Sequence, residues 1–243
     1  MKAIKEFFKC NIVKTLFFNF KMLPFRQAVR LPILFYGKVS VRSLKGKVTI
    51  NHAIYPGMIR IGVKNKYVDT QVPDSKWIVN GRIIFNGPIE MARGSYVLVA
   101  RGAVLTIGSQ RSFYGSNLKI ICFNRISIGD CVRITWDCQI YDTSFHYMEY
   151  LNGDEIKPLQ GEVVIGDRVW IGNRTTVSKG SVIPNDTVVA SNSLVNKDFS
   201  QFGQNIFIAG SPAVLKRSGV RRIFDLDRQA ELDRINNYHR TFL

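Results

Sequence analysis

Three histidines could act as general bases near neutral pH, because the unperturbed pKa of imidazole is about 6.5. His52 lies in a weakly patterned part of the chain, and His239 lies close to its C-terminal end. His146 follows Asp142-Thr-Ser-Phe in a polar segment that also carries Glu149. Asp142 could orient the imidazole or bind the acceptor, with Glu149 as a weaker rival, whereas acids at a chain corner often cap backbone amides instead. A lone loop histidine is more often a solvated bystander, so these residues alone leave its role open.

The four cysteines show neither a CxxC pair nor the spacing of metal ligands: Cys10, Cys122, Cys131 and Cys138. We therefore predict reduced and mostly buried thiols, and no metal site. Cys131 and Cys138 could be nucleophiles, but a small apolar side chain that packs inside a repeat explains both more simply. Nothing at the N-terminus resembles a cleavable signal, and no stretch of about 18 uncharged apolar residues could span a bilayer. We expect a cytoplasmic protein.

Apolar side chains around and beyond His146 recur with a six-residue period. Aliphatic residues recur in one register at Ile165, Ile171, Val177, Ile183, Val189 and Val195. Four residues after each of the first five lies a smaller or β-branched residue: Val169, Thr175, Ser181, Thr187 and Ser193. Six residues turn an α-helix by about 600°, so a helix would scatter the aliphatics around its surface. The short period indicates a β-solenoid with three sides and about 18 residues per coil.

The period also suggests how the chain is divided. It continues upstream at Ile128, Ile134 and Ile140, and the strand-rich stretch from about residue 59 to 125 fits imperfect early coils. We predict a basic amphipathic segment, with possible membrane contact, at residues 1–50. A β-helix with a loop insertion at 143–162 follows at residues 51–217, and a short helical cap or tail ends the chain at residues 218–243.

Three segments together resemble a known family. Ile165-Gly-Asp-Arg-Val-Trp-Ile-Gly-Asn, the run to Lys197-Asp198, and Ala209-Gly-Ser-Pro-Ala213 are similar to the hexapeptide-repeat acyltransferases, particularly the maltose/galactoside and polysaccharide O-acetyltransferase branch. The resemblance covers roughly residues 78–217. It implies a left-handed parallel β-helix, a homotrimer, and acetyl-CoA bound between neighbouring subunits.

The resemblance also assigns roles to residues. Asp142-Thr-Ser-Phe-His146 looks like the segment that carries the family's catalytic histidine, which implies that His146 is the general base and that Asp142 is its candidate partner. The implied mechanism is direct transfer through a tetrahedral intermediate, without an acyl-enzyme. Trp170 would wall the acyl or acceptor pocket, or else pack between subunits. Asn117 aligns approximately with an acceptor-binding asparagine.

The implied coenzyme contacts lie in the later repeats. Positions that match the family's contacts to the pantetheine arm are Asn173, Ser191 and Asn196, although Asn196 could be only a corner residue. Cations expected near the coenzyme phosphates are Lys197 and Arg217, with Lys216 beside them. Basic residues on a solvated coil often have no such role, but three near the expected nucleotide end favour phosphate binding.

The net charge of +16 comes mainly from the N-terminus. Residues 1–47 hold eleven Lys or Arg and one acid, Glu6, which gives +10 for this segment. This uneven distribution and the repeat argue against a nucleic-acid partner. Between Phe7 and Phe25, aromatic residues alternate with lysines, as in a cationic amphipathic element on an anionic membrane surface. Alternatively, the aromatic residues pack on the end of the solenoid.

We therefore predict an acetyl-CoA-dependent O-acetyltransferase that modifies a sugar hydroxyl of a surface polysaccharide or its precursor, at the inner face of the membrane. One alternative is an acetyltransferase for a small free acceptor such as serine, an amino sugar or a drug. Another is a non-catalytic β-solenoid that serves as a binding or scaffold protein.

Overall fold

The fold is a three-sided coil of short parallel strands. The computed structural model describes residues 10–65, 72–110, 112–151 and 156–236, and the strands in these ranges form three sheets. Successive strands pass from the first sheet to the second, then to the third, and return to the first one coil further along. The described part of the chain is therefore a parallel β-helix.

Within each sheet, hydrogen-bonded neighbours are mostly strands of successive coils. The first sheet contains, in bonded order, β1 (Ile33–Phe35), β4 (Ile59–Val63), β7 (Ile89–Ala92), β10 (Ser112–Tyr114), β13 (Arg133–Ile134), β16 (Trp170–Ile171), β19 (Val188–Val189), β21 (Ile206–Gly210) and the antiparallel β22 (Ala213–Ser218). The second contains β2 (Val39–Leu44), β5 (Ser75–Val79), β8 (Tyr96–Val99), β11 (Lys119–Cys122), β14 (Gln139–Tyr141), β17 (Thr176–Val177) and β20 (Leu194–Val195). The third contains β18 (Val182–Ile183), β15 (Val163–Ile165), β12 (Arg125–Ile128), β9 (Val104–Ile107), β6 (Arg82–Phe85) and β3 (Lys47–Ile50).

The six-residue period sets the core. Ile165 pairs with Ile183 and Ile171 pairs with Val189, so equivalent positions recur every 18 residues. The six aliphatics of the repeat are at most 2% exposed, which confirms that they point inward from short parallel strands. The smaller companion residues are buried as well, and the hydroxyl of Thr187 donates to the carbonyl of Pro184 at 2.7 Å. The core thus tolerates small polar side chains because backbone carbonyls accept their hydrogen bonds.

The solenoid begins earlier than the sequence predicted. β1, β2 and β3 form a first coil within residues 33–50, so the predicted boundary at residue 51 is corrected to Ile33. Inward side chains such as Val48 and Ile50 are at most 6% exposed. The three lysines and one arginine of this coil lie between the inward positions, and their charge concealed the apolar pattern.

A helix closes this end of the core. Helix α1 (Ile12–Met22) is followed by the short helix α2 (Phe25–Ala28). Phe18 is fully buried, and its ring lies edge-on to those of Phe35 and Trp77, at 5.1 and 6.1 Å between centroids. The side chain of Asn19 donates to the carbonyl of Ile33 at 2.7 Å and accepts from its amide at 3.2 Å. Part of the aromatic segment therefore packs on the solenoid, while residues 1–9 lie outside the described ranges.

The C-terminal segment forms a helix but does not cap the other end. Helix α3 (Leu226–Ile235) is present as predicted, with none of its residues buried. Before it, the chain runs back along the first sheet, where the guanidinium of Arg222 lies 5.9 Å from the Trp170 ring centroid. Phe199, which is fully buried, fills the core at this end instead. The predicted cap is thus corrected to a surface helix, and residues 237–243 lie outside the described ranges.

In the ranges that the structure describes, no helix is long and apolar enough to cross a membrane.

Candidate active site

His146 lies on a loop that leaves the coil where the chain turns from the second sheet into the third. We call this edge of the solenoid the 2–3 corner. The loop connects β14 to β15, and its base is closed by backbone hydrogen bonds from Gly161 to Asp142 and from Ser144 to Leu159, both 2.9 Å long. Its two arms therefore leave the coil side by side, and the structure describes the loop except for residues 152–155.

The histidine sits at a sharp turn near the start of this loop. Phe145 has a φ of 61°, and the amide of His146 donates to the carbonyl of Ser144 at 2.7 Å. The Phe145 ring packs against the rings of Phe123 and Tyr141, at 5.9 and 6.3 Å. His146 itself is exposed, and no described residue hydrogen-bonds its imidazole. The turn is thus held by its neighbours while the ring remains accessible to a substrate.

Asp142 serves the backbone of the preceding coil. Its carboxylate is fully buried and accepts hydrogen bonds from the amides of Phe123 and Asn124, each at 2.7 Å. The thiol of Cys122 lies 3.5 Å from the same carboxylate. The expectation that Asp142 assists His146 is therefore corrected: the sequence also allowed a capping role, and the geometry matches that role, since a fully buried carboxylate needs hydrogen-bond donors.

The cysteines are free thiols that suit packing. Cys10, Cys122 and Cys138 are buried, and Cys131 is half-buried. Burial, reinforced by the Asp142 carboxylate, raises the pKa of the Cys122 thiol well above its usual range, and burial raises the pKa of Cys138 to about 11. Such thiols stay protonated at neutral pH and are poor nucleophiles. The prediction of reduced, mostly buried cysteines is confirmed.

Trp170 lies on a different face of the solenoid from His146. It is the first residue of β16 in the first sheet, its side chain is 39% exposed, and it lines a cavity of about 500 Å³ together with Phe113, Arg133 and Trp136. His146 projects from the 2–3 corner instead. A single chain therefore does not bring the predicted pocket wall and the predicted base together.

The predicted polar contacts Asn117, Asn173 and Ser191 lie at the edge between the first and second sheets, which we call the 1–2 corner. The hydroxyl of Ser191 donates to the Asn173 side-chain oxygen at 2.6 Å. Asn117, two coils earlier, has a φ of 57° and donates from its side-chain amide to the Asp137 carboxylate at 2.8 Å. These side chains thus form links between adjacent coils, and one such link joins Asn173 to Ser191.

Asn196 and Lys197 share the 2–3 corner with His146. Both are exposed, and the Lys197 ammonium lies 5.3 Å from the Phe199 ring centroid. The His146 loop follows β14, and Asn196 and Lys197 follow β20. Because β14, β17 and β20 are consecutive neighbours in the second sheet, Asn196 and Lys197 lie two coils, or about 10 Å along the axis, beyond the His146 loop. Lys216 and Arg217 are exposed on β22, at the edge of the first sheet.

One residue of this corner was missed by the sequence interpretation. The ammonium of Lys179 donates to the hydroxyl of Ser144 at 2.9 Å and to the carbonyl of Pro158 at 2.5 Å, so it contacts both arms of the His146 loop. A signal was available, because Lys179 precedes Lys197 by one 18-residue coil and occupies the equivalent corner position.

Comparison with known proteins gives several relatives, although no family model matches the chain. An uncharacterised 24.8 kDa protein in the cps region of Klebsiella pneumoniae is 29% identical over 216 residues, which cover 86% of this chain and 89% of that protein. The galactoside O-acetyltransferase of Escherichia coli (strain K12) is 30% identical over 135 residues, or 54% of this chain. The putative lipopolysaccharide biosynthesis O-acetyl transferase WbbJ of the same strain is 37% identical over 115 residues, or 42% of this chain. The matches span 61% and 57% of those two enzymes.

A solved structure supports the fold. The polySia-specific acetyltransferase NeuO is similar with a TM-score of 0.52 and 15% sequence identity, over 86% of this chain and 97% of that one. This similarity concerns the architecture, and it agrees with the predicted left-handed parallel β-helix of hexapeptide repeats. Taken with the 18-residue coil, it shows that the chain has the left-handed β-helix fold, and the sequence relatives show that the chain is similar to hexapeptide-repeat O-acetyltransferases.

Proposed function

We propose that this chain is an acetyl-CoA-dependent O-acetyltransferase that modifies a sugar hydroxyl of a surface polysaccharide or its precursor. The observation that carries the proposal is an exposed His146 on a loop fixed to the coil of an acyltransferase scaffold. Two relatives are named as O-acetyltransferases, one of galactosides and one of lipopolysaccharide biosynthesis, and these names favour a sugar acceptor.

In the proposed reaction, His146 is the general base. Its neutral imidazole accepts the proton of the sugar hydroxyl as the hydroxyl oxygen attacks the thioester carbonyl carbon. The tetrahedral intermediate then collapses, the carbon–sulfur bond breaks, and the imidazolium returns the proton to the departing thiolate. Cys122 and Cys138 take no part, because burial keeps their thiols protonated.

The proposed coenzyme site uses the 2–3 corner. Asn196 and Lys197 lie about 10 Å from the His146 loop along the axis, a separation suited to an extended pantetheine arm. Lys197, Lys216 and Arg217 supply exposed positive charge for the coenzyme phosphates. Asn173 and Ser191 lie at the 1–2 corner, so they contact the same coenzyme only if it is bound between two chains.

We also propose a homotrimer whose neighbouring subunits complete the site. The His146 loop exposes an unusual number of large apolar side chains: Phe145, Tyr147, Met148, Tyr150, Leu151 and Ile156, from 47% to 94%. Monomeric proteins rarely display such a cluster, and a second copy would bury it. A subunit that packs its first sheet near this loop would also bring its Trp170 towards His146.

The proposed location is the surface of an anionic membrane. Seven large apolar side chains on α1, α2 and the residue after it are at least 40% exposed: Ile12, Val13, Leu16, Phe17, Phe20, Phe25 and Val29. Residues 10–30 contain four basic residues and no acid, and Lys21, Arg26 and Arg30 are exposed. Apolar insertion next to positive charge fits an anionic lipid surface, and this surface is where a lipid-linked glycan acceptor would be found.

The test is incubation of the full chain with acetyl-CoA and a panel of glycans, followed by mass spectrometry of the acceptors. We expect one glycan class to gain an acetyl ester, with one equivalent of free thiol released per ester. A wild-type protein that binds acetyl-CoA but acetylates no sugar, and instead modifies serine or an amino sugar, would overturn the proposed acceptor. Binding without any thiol release would indicate a scaffold protein.

A further inference from the structure

Lys179 links the His146 loop to the body of the solenoid. The two arms of the loop are bridged at Thr143–Gln160 and again at Glu149–Ile156. Between these bridges the lysine ammonium hydrogen-bonds to both arms, through Ser144 on the outgoing arm and Pro158 on the returning arm. These two positions lie 35 and 21 residues from Lys179 in the sequence. The lysine therefore closes the loop by a contact that does not depend on the loop's own backbone pairing.

The corner that presents Lys179 is rigid. Gly180 adopts a φ of +78°, and its amide donates to the carbonyl of Glu162 at 2.8 Å. Ser181 is fully buried, and its hydroxyl lies 2.6 Å from the carbonyl of Ser178, which in turn pairs through its amide with the next coil. The lysine backbone is thus fixed to the coils on both sides of it, and Lys179 itself is half-buried.

Ser144 connects the lysine to the histidine. Its carbonyl accepts from the His146 amide at 2.7 Å, and its hydroxyl lies 3.3 Å from the His146 carbonyl and 3.2 Å from that of Leu159. Because the hydroxyl accepts from Lys179, its hydrogen is directed towards these carbonyl oxygens. The ammonium therefore acts on the histidine turn through one shared side chain.

We infer that Lys179 is a positioning residue that holds the His146 turn in its reactive place, through Ser144. This inference rests on the proposed function, since it assumes that His146 is the base. General-base catalysis needs the base within hydrogen-bond reach of the acceptor hydroxyl, and a displacement of about 1 Å can cost on the order of 10²-fold in rate. A lysine without this role would leave kcat unchanged when it is removed.

The test is a double-mutant cycle on the full chain with Lys179→Ala, Ser144→Ala and the double variant. We expect Lys179→Ala to lower kcat by about 10- to 100-fold, with unchanged acetyl-CoA affinity and melting temperature. Lys179→Arg should restore part of the rate, because its guanidinium keeps donors near both acceptors. Adding Ser144→Ala to Lys179→Ala should lower kcat little further, because the two residues act through one contact. Lys119→Ala, at an exposed position on β11, is the matched control.

Wild-type kcat in Lys179→Ala, or fully additive effects in the cycle, would overturn the inference. Amide hydrogen exchange gives a second readout that does not depend on activity: the amides of Ser144 and His146 should exchange faster in Lys179→Ala than in wild type. Unchanged exchange at both amides would contradict the positioning role even if no acceptor were found. Failure of the wild type to transfer acetyl groups, with faster exchange in the variant, would count against the proposed function alone.

Discussion

Asp142 and His146 lie four residues apart in the sequence, yet Asp142 is completely buried and His146 is exposed. The carboxylate faces the amides of the preceding coil, whereas the imidazole lies on the outside of the 2–3 corner. The two residues therefore make different contributions, and their substitution should affect different quantities. Changes at Asp142 should be visible in stability, and changes at His146 in turnover.

His146→Ala should lower kcat by about 10²–10⁴-fold, the usual contribution of a general base. Coenzyme affinity and melting temperature should stay at wild-type values, because the exposed side chain supports neither. Steady-state measurement of thiol release, with calorimetric titration of acetyl-CoA, checks both parts. His52→Ala changes another exposed histidine and serves as the control. Wild-type turnover in His146→Ala would make His146 a bystander.

Asp142→Ala should lower the free energy of unfolding by about 2–6 kcal/mol, because two backbone amides lose a charged acceptor at about 1–3 kcal/mol each. Asp142→Asn keeps one side-chain oxygen and should lose less. Denaturant titration followed by circular dichroism measures the difference. The folded fraction of either variant should still bind acetyl-CoA. An alanine variant as stable as wild type would show that these two hydrogen bonds carry no net stability.

Arg217→Ala should weaken acetyl-CoA binding by roughly 10- to 100-fold, since a charge-assisted hydrogen bond contributes about 1.5–3 kcal/mol. Isothermal titration with acetyl-CoA at fixed salt gives the Kd, and Arg101→Ala, at an exposed arginine of an early coil, controls for lost charge. If both variants bind like wild type, the proposed placement of the phosphates on β22 is wrong.

Phe17→Ser combined with Phe20→Ser should reduce flotation with phosphatidylglycerol vesicles, because both rings are about half-exposed on α1 and available for insertion. Binding by wild type should weaken at high salt and be low with phosphatidylcholine. Ile235→Ser removes an apolar side chain from α3 that is more exposed than either ring, and should leave flotation unchanged. Equal flotation of the double variant and wild type would exclude this surface as the membrane contact.

The sequence was most informative where the coil is regular. From Ile165 to Val195 every sixth residue is buried, because each side of the coil repeats the same local geometry. The first coil was missed, since three outward lysines and one arginine, with no acid, made residues 33–50 look like part of the basic N-terminal segment. A register based on inward positions alone, such as Val48 and Ile50, would have included it.

The candidate site was less predictable because its contacts join distant parts of the chain. Asp142 caps amides 18 and 19 residues earlier, and Lys179 reaches a loop residue 35 positions before it. The first of these separations equals one coil, but most of the loop at residues 143–162 lies between Ser144 and Lys179 and disrupts the 18-residue spacing for the second. The spacing of Trp170 and His146 in the sequence also did not predict that they lie on different faces, because this depends on which sheet each residue belongs to or follows.

The side chains of Thr15 and Asn19 have a consequence for solubility. β1 is the outermost strand of the first sheet, and an uncovered outermost strand would recruit strands from other molecules. Here the backbone amides of Ile33 and Phe35 donate to the side-chain oxygen of Asn19 and the hydroxyl of Thr15, both on α1. α1 therefore occupies hydrogen-bonding positions at the end of the first sheet, which opposes the addition of a strand from another molecule there.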